Sequence, residues 1–114
     1  VTSSEIGSAW ERKVTAWLVD RGLPAVRLRG TEGPRDHGDI GGFNRWALDC
    51  KDQATMRLGA WVLQAKQEAR NSQKPLSAVV VKQRGRPTKE ALVVMDLQTF
   101  ALLETYIHEI QKEA

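Results

Sequence analysis

At 114 residues, with 41% apolar and 27% charged side chains, the chain has the size and composition of one globular domain spanning 1–114. No apolar run approaches the ~18 residues that a membrane-spanning helix needs, and the polar start with Glu5 has no signal-peptide pattern, so the expectation is an intracellular protein with no membrane contact. A lone Cys50 and two His exclude an internal disulfide, a Cys-based metal centre and a His-rich zinc site, while a net charge of +3 is only mildly suggestive of nucleic acid.

Ser3 or Ser4 is placed to cap a first helix over 4–21, stopped by Gly22-Leu23-Pro24. Ile6, Trp10, Val14 and Trp17 recur at helical spacing and predict a buried stripe, widened by Leu18. Glu11 lies on the edge of that stripe, so its carboxylate points to the rim of whatever the helix packs on. Residues 24–29 read as a first strand, with Val26 and Leu28 alternating with Arg27 and Arg29. A loop over 30–38 follows and holds His37.

Residues 35–53 read as two short strands joined by a turn at Gly41-Gly42-Phe43-Asn44-Arg45. Asp39 falls on the first of the pair. Along 46–51, Trp46, Leu48 and Cys50 point to one face, and Ala47, Asp49 and Lys51 to the other. The first set serves as core. The second places a carboxylate beside an ammonium, with Asp39 available from the neighbouring strand. Two carboxylates converging beside a Lys suit a hard divalent cation and a phosphoester substrate. Gln53 shares that face if the strand continues.

Residues 54–57 link to a second helix, whose stripe is Leu58, Trp61, Val62, Ala65 and Ala69. Lys66 and Arg70 lie off the stripe, exposed, where they can meet phosphates. The helix ends within 71–75. Two apolar, β-branched runs over 77–83 and 91–96 predict strands buried on both faces. The loop between them carries Lys82, Arg84, Arg86 and Lys89, a mobile basic segment able to reach a nucleic-acid backbone. A last helix opens at Leu97 or Gln98, with Phe100, Leu103, Ile107 and Ile110 on one face. Leu102 and Tyr106 lie beside that face and offer a surface for a partner subunit.

Asp39, followed ten residues later by Asp49-Cys50-Lys51, resembles the split acidic-x-Lys signature of the PD-(D/E)XK nuclease superfamily. Gly38 stands where that motif has its Pro. The element order αβββαββα is similar to the restriction-endonuclease-like core, an α/β fold with a central mixed sheet flanked by helices, extended by a final strand and helix. The nearest resemblance within the superfamily is to the small Holliday junction resolvases of archaea and phages. It rests on compact size, a Glu on the first helix and a basic loop near the end of the sheet.

The resemblance implies that Glu11, Asp39, Asp49 and Lys51 are catalytic. Glu11, Asp39, Asp49 and the backbone carbonyl of Cys50 would hold Mg²⁺ (or Mn²⁺), and Lys51 would orient the attacking water or offset charge on the phosphate. Gln53 and His37 are accessory candidates. Lys66, Arg70, Lys82, Arg84, Arg86 and Lys89 are the candidates for contact with branched or duplex DNA. Paired symmetric nicks would require a homodimer. The competing readings are a repair, flap or restriction-like endonuclease on the same fold, a DNA-binding domain without chemistry, and a small α/β interaction protein.

Overall fold

A computed structural model describes residues 1–28 and 36–113. Helix α1 (Ser3–Asp20) is capped by Thr2, one residue before the expected Ser. The Thr2 hydroxyl accepts from the Glu5 N–H at 3.1 Å and the Glu5 carboxylate accepts from the Thr2 N–H at 3.3 Å, a reciprocal capping box. Glu5 is thereby committed to the helix end. Trp10 and Val14 form the buried part of the α1 stripe, while Ile6, Trp17 and Leu18 are half-buried.

The strands are β1 (Val26–Arg27), β2 (Ile40–Gly41) and β3 (Trp46–Lys51), then helix α2 (Leu58–Asn71), strand β4 (Leu76–Val81), a 3₁₀ turn (Thr88–Glu90), strand β5 (Leu92–Val94) and helix α3 (Leu97–Glu113). The order is therefore αβββαββα in an α/β fold. The five strands form one mixed sheet in the order β1-β2-β3-β4-β5. Only β3 and β4 are parallel, joined through α2; every other pair is antiparallel. A parallel pair needs such a crossover, which places α2 on one face of the sheet. Helix α1 covers the opposite face: Trp10 and Val14 pack with Ile40, Cys50 and Val80, whereas Trp61 and Ala65 of α2 pack with Val79 and Val81. Trp10 also donates its indole N–H to the Val80 carbonyl at 3.1 Å.

The side chains of β3 alternate between two faces, with Cys50 toward α1 and Asp49 turned to α2, but the expected core face is covered only in part: Trp46 and Leu48 are half-buried, whereas Ala47 and Asp49 on the other face are buried, because α2 packs over them. Every residue of β4 is buried, because helices cover it from both sides.

Several expectations are corrected. The first strand is shorter than 24–29, and Val26 is 56% exposed while Ala25 is buried. Arg29 and most of the 30–38 loop lie outside the described residues. The run over 91–96 yields only a three-residue strand, and it is an edge of the sheet, with Leu92 and Val93 exposed. An apolar run cannot say whether its strand is central or at an edge. Leu58 of the α2 stripe is exposed, and Glu68 is buried in its place. The α3 stripe is largely uncovered: Phe100, Ile107 and Ile110 are exposed and only Thr99 is buried. No helix among the described residues is long and apolar enough to cross a membrane.

Candidate active site

The site is assembled by the antiparallel pairing of β2 with β3. Asp39 lies just before β2, and its backbone is already in the ladder: its N–H donates to the Leu48 carbonyl at 2.8 Å and its carbonyl accepts from the Leu28 N–H at 2.9 Å. This register brings the Asp39 side chain over β3, where its Oδ2 accepts from the Cys50 N–H at 2.8 Å. Gly38 makes the approach possible. Its φ is +97°, a region closed to Pro and strained for other side chains, and a Cβ there would stand 3.0 Å from the Leu48 carbonyl oxygen.

Asp39 touches Asp49, and Asp49 in turn touches Glu68 of α2. Asp49 and Glu68 are each 2% exposed. Their carboxyls meet within hydrogen-bonding reach, so a proton on one can bridge to the other; no N–H or hydroxyl of the described residues donates to Asp49 Oδ2 or to either Glu68 oxygen. Burial pushes both carboxyls well above the ordinary carboxylate range, Asp49 to about 7 and Glu68 to about 10; the Asp49 carboxylate raises Glu68 further, whereas the Glu68 side chain pulls Asp49 back down and the Asp39 charge raises it. Asp36 adds to that negative field. Asp39 is also raised by burial, with the Cys50 N–H, Asp49 and the Lys51 charge pulling it back.

Glu11 faces the same group from α1. Burial and the Asp39 charge raise its pKa, while Arg27, whose Nη2 lies 3.4 Å from Glu11 Oε1, lowers it. Lys51 acts on both Asp39 and Asp49, and its ammonium sits 6.0 Å from the centre of the Trp61 ring. Cys50 is buried and its thiol is pushed up by that burial, so it stays a neutral core group.

Glu11, Asp39, Cys50, Lys51 and Gln53 line one open cleft of ≈ 810 Å³, together with Arg57 and Arg84. Asp49 does not line it; it lies behind Asp39, against Glu68. The expected acids thus meet in pairs, and among the described residues no three His, Cys, Asp or Glu side chains are placed to hold one ion together. The donor chemistry still fits a hard cation. It offers carboxylate oxygens, one of them on Asp49 buried without a partner. His37 is exposed beside Gly38 and does not line the cleft.

The basic candidates divide. Arg84 reaches the cleft, held by Asp52: its Nε donates to Asp52 Oδ1 at 2.8 Å and its Nη2 to the Asp52 carbonyl at 3.3 Å. Lys82 leans on the same carboxylate at 3.7 Å. Arg86 pairs with Glu90, and Lys89 lies by an apolar groove under α1. Lys66 is half-buried, at 2.6 Å from Asp96, the carboxylate that caps α3, and so is not the free exposed cation expected. Arg70 hydrogen-bonds Gln67 and shares a separate pocket with Lys66 and Lys74. Sequence reasoning missed Arg57, at the start of α2, and Glu68. The signal for Glu68 was its place in the period: with Trp61 and Ala65 it continues the buried face at positions 61, 65 and 68.

No protein-family model, curated protein or solved structure matches this chain, so the functional reading rests on the motif and on the geometry of the cleft.

Proposed function

We propose that the chain is a divalent-metal-dependent DNA endonuclease of the PD-(D/E)XK type. The observation that carries this reading is the contact of Asp39 with Asp49 under the field of Lys51, beside a cleft rimmed by Glu11, Arg57 and Arg84. That set matches what phosphodiester hydrolysis asks of a protein: acids for a cation, a lysine near the reacting phosphate and cations for the strand.

Asp39 and Asp49, with Glu11 and the Cys50 carbonyl, would hold Mg²⁺ or Mn²⁺. Bound there, such an ion would supply the positive charge that polarises a phosphate and lowers the pKa of a water. Lys51 orients the attacking water or offsets negative charge on the phosphate. Arg57 and Arg84, which line the cleft, would contact the strand's phosphates and fix its register without reading bases. The Asp39–Cys50 hydrogen bond keeps the Asp39 carboxylate from swinging away.

Within this reading, a Holliday junction resolvase acting as a homodimer is the finer proposal. The uncovered apolar stripe of α3 and the exposed edge strand β5 support a partner subunit. One observation favours a second reading, a DNA-binding domain without chemistry: the acids meet pairwise rather than around one point. Cleavage of branched, flapped and linear DNA in Mg²⁺ and in EDTA separates the two.

A further inference from the structure

Gly7 is a glycine that the fold does not ask for. It lies in the second turn of α1, beyond the Thr2–Glu5 capping box, so it serves no helix end. Its backbone is ordinary helix, without the positive φ of Gly22, Gly38, Gly42 and Gly85. Nothing packs on it either: a Cβ built there would meet no atom within 4 Å, whereas one on Gly41 would stand 2.9 Å from a Leu28 methyl. A glycine inside a helix is less stable than alanine, because its backbone gives up more freedom on folding. Alanine at position 7 would remove that cost without a clash.

The location of Gly7 supplies a reason. Gly7 precedes Trp10 by three residues and Glu11 by four, so the three share one face of α1. Trp10 is buried against the sheet. One turn earlier the same face opens onto the cleft, and Gly7 lines it with Glu11, Lys51, Arg57 and Arg84. The bare backbone of α1 is thus part of the cleft wall. Glycine is the residue that lets a ligand come close to a backbone.

We propose that Gly7 is a positioning residue for the nucleic-acid strand in this cleft: it lets a sugar–phosphate segment lie against α1. The inference rests on the DNA-binding part of the reading above and not on the metal. A side chain at position 7 would project into the cleft and hold the strand away from Asp39 and Lys51, which line it too.

Gly59 supplies the internal control. It is also in a helix, and a Cβ there also meets no atom within 4 Å, but it is exposed and does not line the cleft. The test measures binding of the whole chain to labelled duplex and four-way junction in EDTA, with melting curves alongside. Gly7→Ala is expected to melt higher than wild type and to bind more weakly. Gly7→Leu, also a good helix former, should bind more weakly still, by about 10-fold or more. Gly59→Ala and Gly59→Leu should bind as wild type does. A gain in stability together with a loss of binding does not come from a damaged fold, and Gly7→Ala carries the comparison alone if the Leu variant melts low. Wild-type binding by Gly7→Ala and Gly7→Leu, an equal loss in Gly59→Leu, or a lower melting temperature in Gly7→Ala would overturn the inference. Arg84→Ala keeps the two levels of the account apart. If it weakens binding while Gly7→Leu does not, the Gly7 role fails and the cleft remains a DNA site. If wild type binds neither DNA, both fall.

Discussion

Asp39 Oδ2 accepts a 2.8 Å hydrogen bond from the backbone N–H of Cys50. That one bond locks the acid preceding β2 onto the strand that carries Asp49 and Lys51, and so turns a split motif into a contiguous site. Asp39→Ala removes the bond and leaves the Cys50 N–H without its acceptor. The expected cost is about 1–3 kcal/mol, read as a lower midpoint in urea unfolding. Asp39→Asn keeps an acceptor oxygen and should lose less than half of that.

Gly38 stands where the motif it resembles has Pro, and introducing that Pro should damage this protein. The φ of +97° is closed to the pyrrolidine ring, and the Gly38 N–H, which donates to Asp36 Oδ1 at 2.9 Å, would be lost. Gly38→Pro is expected to cost about 3 kcal/mol or more, with Gly38→Ala costing about 1–3. Thermal melting of the two variants checks the order.

The raised acids set the pH dependence of the metal-free protein. Asp39, Asp49 and Glu68 all have folded pKa values above their unfolded ones, with burial the largest cause. The folded state then holds more protons than the unfolded state above about pH 4. Stability is full below that point and falls as pH rises through the folded values. In EDTA, melting temperature should decline from pH 5 to pH 9. Glu68→Gln should flatten the decline and melt higher than wild type at pH 8. A melting temperature that rises across this range would contradict the assignment.

The cations around the molecule should not contribute equally to DNA binding. Arg84 lines the cleft and is oriented by Asp52. Arg84→Ala should weaken binding to any duplex and lower the salt slope by about one. Lys66 is spent on Asp96 and the capping of α3, so Lys66→Ala should reduce stability and leave the salt slope unchanged. Filter binding over a series of salt concentrations distinguishes the two effects.

The parts legible in the sequence were those where local period and burial agree. Strand β3 alternates because its two faces differ, one against α1 and one against α2. Strand β4 reads as a small and apolar run ending Val79-Val80-Val81 because both faces are covered. The Trp10 and Val14 stripe survives for the same reason. Glu68 was hidden because a Glu within a basic stretch counts as surface charge, although it falls on the buried period of α2. The edge position of β5 was hidden because Leu92 and Val93 are as apolar as the buried valines of β4. The apolar stripe of α3 was legible as a pattern, but a pattern does not say whether the chain covers it. The division of the basic residues depends on which acids lie opposite them, and that is set by tertiary structure alone.

The most direct measurement is cleavage of an end-labelled four-way DNA junction in Mg²⁺, beside linear duplex and flap substrates, with EDTA and Asp49→Asn as the blanks. The account predicts Mg²⁺-dependent nicks, paired and symmetric across the junction, with activity reduced by about 10²-fold or more in Asp49→Asn. Cutting of duplex or flap in preference would keep the nuclease and discard the junction assignment. Binding without cleavage of any substrate in Mg²⁺ or Mn²⁺ would contradict the account.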